Sequence, residues 1–361
     1  MQASETREGQ SELEAYSPGG TLSPLLTIAI PTWKRSTYLA ETLAQIHAQL
    51  ILIDKGLVEV LVSDNASPDE TQSVVVSVIS FGLPVNYIRN TENIGSDANI
   101  AQCFNRSKGK YVLILGDDDL LVDGSIALLL TQIRKNNYGV ITLRPYGFDH
   151  DYRAEHPGGG GHDCVFVNGT EFLAEVGPLM TLISSCVINK SLLPNLDASE
   201  FCGGNLVQVH LVILAALAAQ ENLYLKRYLV ACKRNNSGGY DFSAVFVTSF
   251  GEILDKFKSR GLTEGDVESI ERKFLVGYYP YYLLRQRLNQ SGDLAATSQR
   301  FNERYRGRVI FEYWVSPIIL LPRPLAILWG GFATLLGRVL YGELRRGLSF
   351  AMNKLRRISK T

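Results

Sequence analysis

Three consecutive carboxylates, Asp117, Asp118 and Asp119, stand where a short apolar run ends. Residues 111–115 (Tyr-Val-Leu-Ile-Leu) carry no charge and are followed by Gly116. A run that short, β-branched and bounded by glycine reads as a buried parallel strand rather than a helix. In an open α/β sheet the carboxyl edge of such strands is where ligands bind. Adjacent carboxylates repel one another and call for a counter-charge. A hard divalent cation, Mg²⁺ or Mn²⁺, itself bridged to phosphate oxygens, supplies it. The triplet is therefore a candidate metal–diphosphate site, with Asp117 and Asp119 as ligands. A solvated acidic turn has the same composition, and the rest of the chain decides between the two.

The elements around the triplet alternate. Apolar β-branched runs at residues 25–30, 58–62, 85–89, 111–115 and 139–143 read as strands. Between them, residues 36–50, 70–81, 97–107 and 124–135 read as helices; in the first, Leu39, Leu43, Ile46 and Leu50 recur at helical spacing. Alternation with short connections predicts an α/β fold with a mainly parallel sheet flanked by helices. Beyond about residue 145 the rhythm breaks. A glycine-rich loop spans residues 157–161, a short helix 168–176, a strand 180–189, an apolar helix 206–219 and a late strand 224–232. A polar loop at residues 233–240 precedes helices at 246–260 and 267–290.

Bulk composition narrows the function. The formal net charge is zero over 361 residues, which argues against nucleic acid as a partner. The five cysteines are scattered without a C-x-x-C pair, which fits a reducing compartment and gives no zinc site. Residues 1–24 are polar, acidic and rich in Gly, Pro and Ser, and read as a disordered leader rather than a signal peptide. At the other end, residues 318–321 and 325–340 are dense in apolar side chains, with Pro322 and Pro324 between them. The uninterrupted run is about 13 residues, short of the roughly 20 that a spanning helix needs. Arg338, Arg345, Arg346, Lys354, Arg356, Arg357 and Lys360 accompany it against the single Glu343. This pattern predicts a helix lying in a membrane interface, with anionic lipid contributing about 1 kcal/mol per nearby basic residue. A C-terminal helix packed on the protein, with a solvated basic end, and a true membrane span are the alternatives.

Polar clusters fall at the ends of the early strands: Pro31-Thr32 with Arg35, Ser63-Asp64-Asn65-Ala66-Ser67, Asn93-Ile94-Gly95 and the acidic triplet. Parallel strands share one edge, so these clusters can converge on one ligand. As an ordered set they resemble the nucleotide-sugar-binding half of family 2 glycosyltransferases with the GT-A fold, over residues 25–145. Residues 146–240 resemble, less firmly, bacterial surface-polysaccharide sugar transferases of the abequosyltransferase type.

The resemblance implies roles. Pro31 and Thr32 line a nucleotide pocket, with Arg35 near the phosphates. Asp64, beside Asn65, accepts a hydrogen bond from the base, or else closes an Asx turn. Asn93 and Gly95 let the backbone approach the nucleotide, or form a plain turn. Asp117 meets the ribose or a metal-bound water, and Asp119 the metal. Asp118 points away or supports the turn. The division implied is a nucleotide-sugar half at 25–145, an acceptor half at 146–245, a helical extension at 246–312 and interface helices with a basic tail from 313. The expected reaction moves a sugar from a nucleotide-sugar donor to a hydroxyl of a lipid-linked glycan at the cytoplasmic face of the inner membrane. The protein would be peripheral or monotopic there.

An inverting transfer needs a general base. Many relatives carry a Glu-Asp pair at the start of the helix corresponding to 206–219, where this chain has Phe201-Cys-Gly-Gly-Asn-Leu-Val-Gln208; Asn205 and Gln208 can bind a sugar but take no proton. Glu200 is the first choice for base; Asp197, Asp149 and His150 are further options. His210, in an apolar helical stretch, reads as a core histidine. Arg234, after Lys233, would close over the diphosphate. A catalytically inactive sugar-nucleotide-binding scaffold and a sugar nucleotidyltransferase are the competing readings. The latter class usually has a glycine-rich loop after the first strand, which Pro31-Thr-Trp-Lys-Arg35 lacks. No G-x-G-x-x-G follows that strand either, which removes a dinucleotide-dependent oxidoreductase.

Overall fold

A computed structural model describes residues 23–54, 56–234 and 239–341. Residues 1–22 of the leader, 235–238 of the polar loop and the tail from residue 342, with Glu343 and the basic residues beyond Arg338, lie outside the described residues.

Strands β1 (Leu26–Thr32), β2 (Val58–Asp64), β3 (Val85–Arg89) and β4 (Tyr111–Ile114) alternate with helices α1 (Ser36–Leu50), α2 (Thr71–Ser80) and α3 (Ser96–Arg106). They pair in parallel in the order β3-β2-β1-β4, as the pattern predicts. Alternate residues of each strand serve opposite faces. Ile28, Ile30, Val62 and Leu113 meet α1, α2 and the helix at Ser125–Lys135 on one side. Ala29, Leu61, Val112 and Ile114 meet the larger core on the other.

After β4 the sheet changes character. A short β5 (Asp119–Leu121), helix α4 (Ser125–Lys135), β6 (Val140–Phe148), β7 (Cys164–Phe166), α5 (Gly169–Val176), β8 (Cys186–Asn189), α6 (Val207–Ala218) and β9 (Asn222–Lys233) follow. The sheet continues β4-β8-β6-β9-β5, with β7 also on β9. β8 runs antiparallel to β4 and β6, while β9 is parallel to β6 and antiparallel to β5. The expected strand at 180–189 is thus only its last four residues. Before it lie 3₁₀ turns at Gly177–Thr181 and Ile183–Ser185. Ser185 turns its hydroxyl onto the Leu182 carbonyl at 2.9 Å, and such side-chain bonds compete with a ladder. Strand β6 runs past the expected Leu143 by bulging at Arg144 and Pro145, which lets a proline sit inside it.

The C-terminal helices are α7 (Phe250–Lys258), α8 (Glu264–Lys273), α9 (Tyr279–Asn289), α10 (Leu294–Tyr305), α11 (Ser316–Leu320) and α12 (Arg323–Leu340). The helix expected at 267–290 is broken by a π turn at Phe274–Tyr278. Pro280 is the cause: it has no N–H for the Val276 carbonyl. Trp314 Nε1 donates to that carbonyl at 3.3 Å. Gly337 of α12 packs so closely on it that a Cβ would lie 2.5 Å away. Helix α12 therefore turns Ala326, Gly330, Ala333 and Gly337 inward and leaves Leu325, Leu328, Phe332 and Leu335 exposed. Phe250, Phe274, Tyr279 and Phe301 of these helices share one core with α6. Among the described residues no helix is long and apolar enough to cross a membrane.

Candidate active site

The acidic triplet is a tight turn between β4 and β5, closed by the Asp119 N–H on the Gly116 carbonyl at 3.1 Å. Helix α1 holds its backbone. The Thr42 hydroxyl donates to the Asp117 carbonyl at 2.9 Å, and Gln49 Nε2 to the Leu121 carbonyl at 3.1 Å. These residues escaped the sequence reading, which attended to the apolar stripe of α1. Thr42, Gln45 and Gln49 are a second stripe at i, i+3 and i+7, and that spacing was the available signal. Ser184 also went unrecognised. Its hydroxyl accepts the Gly116 N–H at 2.9 Å and donates to Asp119 Oδ2.

Asp117 and Asp119 are buried. Asp117 accepts from the Thr32 hydroxyl at 2.8 Å and from Arg35 Nη1 at 2.9 Å. Burial pushes its carboxyl up to about 6 despite Arg35 and Thr32. Burial, and then the neighbouring Asp118, push Asp119 to about 7; its donors are the Ser184 hydroxyl, the Cys232 thiol and the Lys233 N–H, all neutral. Asp118 does not point away. Its Oδ2 lies 3.4 Å from the same Arg35 nitrogen, because side-chain alternation holds for extended chain and not for a turn. Arg35 accordingly rests on the carboxylates, rather than standing clear of them for a phosphate.

The nucleotide-side clusters meet as expected from the shared strand edge, and largely grip one another. Buried Asp64 accepts the Ser67 N–H at 2.8 Å through Oδ1 and the Tyr87 hydroxyl at 2.6 Å through Oδ2, with Arg89 Nε at 3.6 Å. The Asx turn is therefore present. Asn65 donates to Asn93 Oδ1 at 2.8 Å and to the Gly95 carbonyl at 3.2 Å, and accepts the Ile94 N–H at 2.9 Å. Gly95, at φ 87°, opens α3 from a conformation open to glycine. Pro31 pairs with Ser63 across β1 and β2. Lys34, Ala66 and Asn205 adopt φ of 57°, 58° and 56°, so strained non-glycine backbone gathers in the loops at this edge.

The candidate bases separate. Glu200 is exposed on a 3₁₀ turn, Ala198–Phe201, pinned to the last turn of α3 by Asn105 Nδ2 on Asp197 at 2.6 Å. No hydrogen bond or ion pair among the described residues joins it to the acidic turn. Asn205 is tied through its N–H to Asp97 at 2.9 Å, and Gln208 donates to the Thr181 carbonyl at 2.7 Å. His210 is buried, stacked on Phe201 at 4.5 Å and held below its ordinary pKa by burial, as a core histidine should be. Arg234 pairs with Asp149 at 3.0 Å and Glu155 at 3.2 Å. Asp149 follows the carboxyl end of β6, whose Gly147 lies opposite Cys232, which in turn lies opposite Asp119. It thus stands at the edge of the acidic turn, two strands away.

Residues 27–182 match the family model for glycosyl transferase family 2. They form a family 2 glycosyltransferase domain. The chain is 36% identical to an abequosyltransferase of Salmonella typhimurium over 111 residues, 30% of this chain and 32% of that protein. It is 30% identical to a GalNAc(5)-diNAcBac-PP-undecaprenol beta-1,3-glucosyltransferase of Campylobacter jejuni over 30% of this chain and 34% of that one. The matches thus span about a third of each relative's length. Among solved structures, S. aureus TarS 1–349 in complex with UDP-GlcNAc shares the fold, with a TM-score of 0.60 at 14% identity, covering 86% of this chain and 90% of that one. The GT-A architecture expected from the motifs is the one observed.

Asp117 and Asp119 fit a divalent cation. They are buried oxygen donors whose burial disfavours their charge, and among the described residues the donors to Asp119 are neutral. Among the described residues no group of three His, Cys, Asp or Glu side chains is placed to hold an ion unaided.

Proposed function

We propose that this protein is a divalent-cation-dependent, inverting glycosyltransferase that moves a sugar from a nucleotide-sugar donor to a hydroxyl of a lipid-linked glycan. The observation that carries the reading is the convergence at one strand edge of the Asp64–Tyr87 and Asn65–Asn93 clusters with the Thr32–Asp117–Arg35 cluster and Asp119. The nucleoside would lie over the ends of β1 to β3 and its diphosphate at the acidic turn. Asp117 and Asp119 would hold Mg²⁺ or Mn²⁺, which neutralises charge growing on the leaving diphosphate. Thr32 and Arg35 fix the Asp117 carboxylate, and Ser184 fixes Asp119. Asp149, at the same edge, would take the proton of the acceptor hydroxyl as it attacks the anomeric carbon. The nucleoside diphosphate leaves with the electrons of the broken glycosidic bond.

Thermal stabilisation by a panel of nucleoside diphosphates, with and without Mn²⁺, tests the donor site. A ligand at a hundredfold excess over Kd adds about 2.7 kcal/mol. The expected result is cation-dependent stabilisation by one nucleotide, lost in Asp119→Ala. No stabilisation by any nucleotide would sink the reading. A sugar-nucleotide-binding protein without turnover has one observation in its favour: Gln208, not a carboxylate, stands in the first turn of α6. Donor consumption on adding acceptor decides against it.

The outward apolar side chains of α12, with the basic residues that follow it in sequence, support attachment at a membrane surface. Full-length protein should sediment with anionic liposomes, and a Leu328→Ser, Phe332→Ser variant should remain in solution. Equal sedimentation of the two would refute attachment through α12.

A further inference from the structure

Helix α3 holds a second stretch of chain along its length. At its last turn Asn105 Nδ2 donates to the Asp197 carboxylate at 2.6 Å, and Asn105 Oδ1 accepts the Ala198 N–H at 2.9 Å. At its first turn Asp97 Oδ2 accepts the Gly203 N–H at 2.7 Å and the Asn205 N–H at 2.9 Å. The two fastenings are about 12 Å apart along the helix, at ~1.5 Å per residue, and residues 197–205 run back between them. The Asp97 end carries the strain. Gly203 and Asn205 sit at φ of 115° and 56°. A non-glycine residue keeps such a conformation only where its surroundings impose it. Two charge-assisted bonds converging on one carboxylate oxygen impose it here, and they leave the Asn205 residue exposed.

Asp97 stands between two parts of the site. On one side, Gly95 caps α3 and takes Asn65 Nδ2 on its carbonyl at 3.2 Å, which joins it to the nucleotide-side clusters. On the other, residues 203–205 lead into α6, whose Gln208 donates to the Thr181 carbonyl at 2.7 Å. Thr181 and Ser184 lie in successive 3₁₀ turns, and Ser184 donates to Asp119. Two buried acceptors on this path, Asp97 Oδ1 and Gln208 Oε1, have no donor among the described residues. Buried acceptors are nearly always satisfied, so two exceptions flanking one short loop mark a joint that is not in its fully bonded arrangement. Resting on the glycosyltransferase reading, we infer that Asp97 is a positioning residue that couples the donor site to the acceptor side. A nucleotide that orders the Asn93–Gly95 loop fixes the first turn of α3. Asp97 passes that order to residues 203–205, so Asn205 and the start of α6 take their working place once the donor is bound. The coupling is reciprocal: whatever fixes residues 203–205 also tightens the nucleotide.

Hydrogen exchange on the full chain, read by mass spectrometry, tests this on wild type, Asp97→Ala and Asp97→Asn. The probe is a mixture of UDP, GDP, CDP, ADP and dTDP with Mn²⁺. In wild type it should slow exchange over residues 90–96 and also over residues 202–206. In Asp97→Ala, exchange over 202–206 should be about tenfold faster without the probe, as for lost bonds to a charged group. The probe should then protect 90–96 alone. Asp97→Asn keeps an oxygen acceptor and should recover part of both effects. A purely structural contact would speed exchange over 202–206 without changing its response to the probe. Exchange in β4 reports whether each variant is folded, and Asp97→Asn against wild type serves if Asp97→Ala is not. Equal protection of 202–206 by the probe in wild type and Asp97→Ala would overturn the inference. So would protection of 90–96 alone in wild type. Absence of protection at 90–96 in wild type would instead remove the donor reading, and the coupling with it.

Discussion

The two halves of the sheet solve the same problem, holding polar groups where a ligand must come, by different means. On the β3-β2-β1-β4 side the strands are parallel, and the loops at their ends are tied to one another by side-chain bonds: Asn65 to Asn93 and Gly95, Asp64 to Ser67 and Tyr87, Thr32 to Asp117. The charge there is acidic, with Arg35 set against Asp117 and Asp118. On the β8-β6-β9-β5 side the pairing is mixed, the strands bulge, and an open, tyrosine-walled cavity holds lysines and an arginine around Glu175.

The largest effect should come from the boundary between the halves. If Asp149 takes the acceptor's proton, Asp149→Asn should lower kcat by about 10²- to 10⁴-fold, while Glu200→Gln leaves kcat near wild type. The reverse result would return the base to Glu200 and place the acceptor over α3. A smaller effect is expected from the tied loops. Asn65→Ala removes bonds to Asn93, Ile94 and Gly95, whose groups are exposed and can turn to water, a cost of about 1 kcal/mol. Chemical denaturation should register that loss, with a raised KM for the donor and little change in kcat. An unchanged KM would mean that the Asn93–Gly95 loop is not part of the nucleotide pocket.

How much of this was legible in the sequence follows the same division. Parallel strands buried on both faces leave unbroken apolar runs, and their ends carry short polar signatures. The residues from Leu26 to Ile114 and the acidic triplet were therefore readable. The second half was not. β5 is three residues long, the expected strand at 180–189 gave way to 3₁₀ turns, and Pro145 hid the length of β6, because each is set by tertiary pairing rather than by periodicity. Supporting side chains such as Thr42 and Ser184 have no motif of their own; only folding brings them to Asp117 and Asp119. The cavity cations Arg144, Lys226 and Lys273 lie far apart in sequence and reveal nothing until a bulge and a π turn bring them together.

The finest test of the contrast is pH, because the two carboxylates that mark the halves are perturbed in opposite directions. Asp119 is raised from 3.8 to about 7 by burial and Asp118. Between those values the folded state binds more protons than the unfolded one, so stability falls as pH rises through that window. Asp119→Asn should flatten that slope and, without added cation, make the protein more stable than wild type near pH 8. Added Mn²⁺ should stabilise the wild type and leave the variant unmoved. Glu175 behaves in the other sense. Burial opposes its charge, but Lys226 and Lys273 prevail and lower its pKa below 4.5. Its contribution is present above about pH 4.5 and lost as pH falls below it. The pair is partly exposed, which limits that contribution to at most about 1 kcal/mol. Denaturant titrations across pH 3–8 on wild type, Asp119→Asn and Glu175→Gln separate the two. Parallel curves for all three proteins would mean that neither carboxylate is perturbed, and the electrostatic contrast between the halves would fall with them.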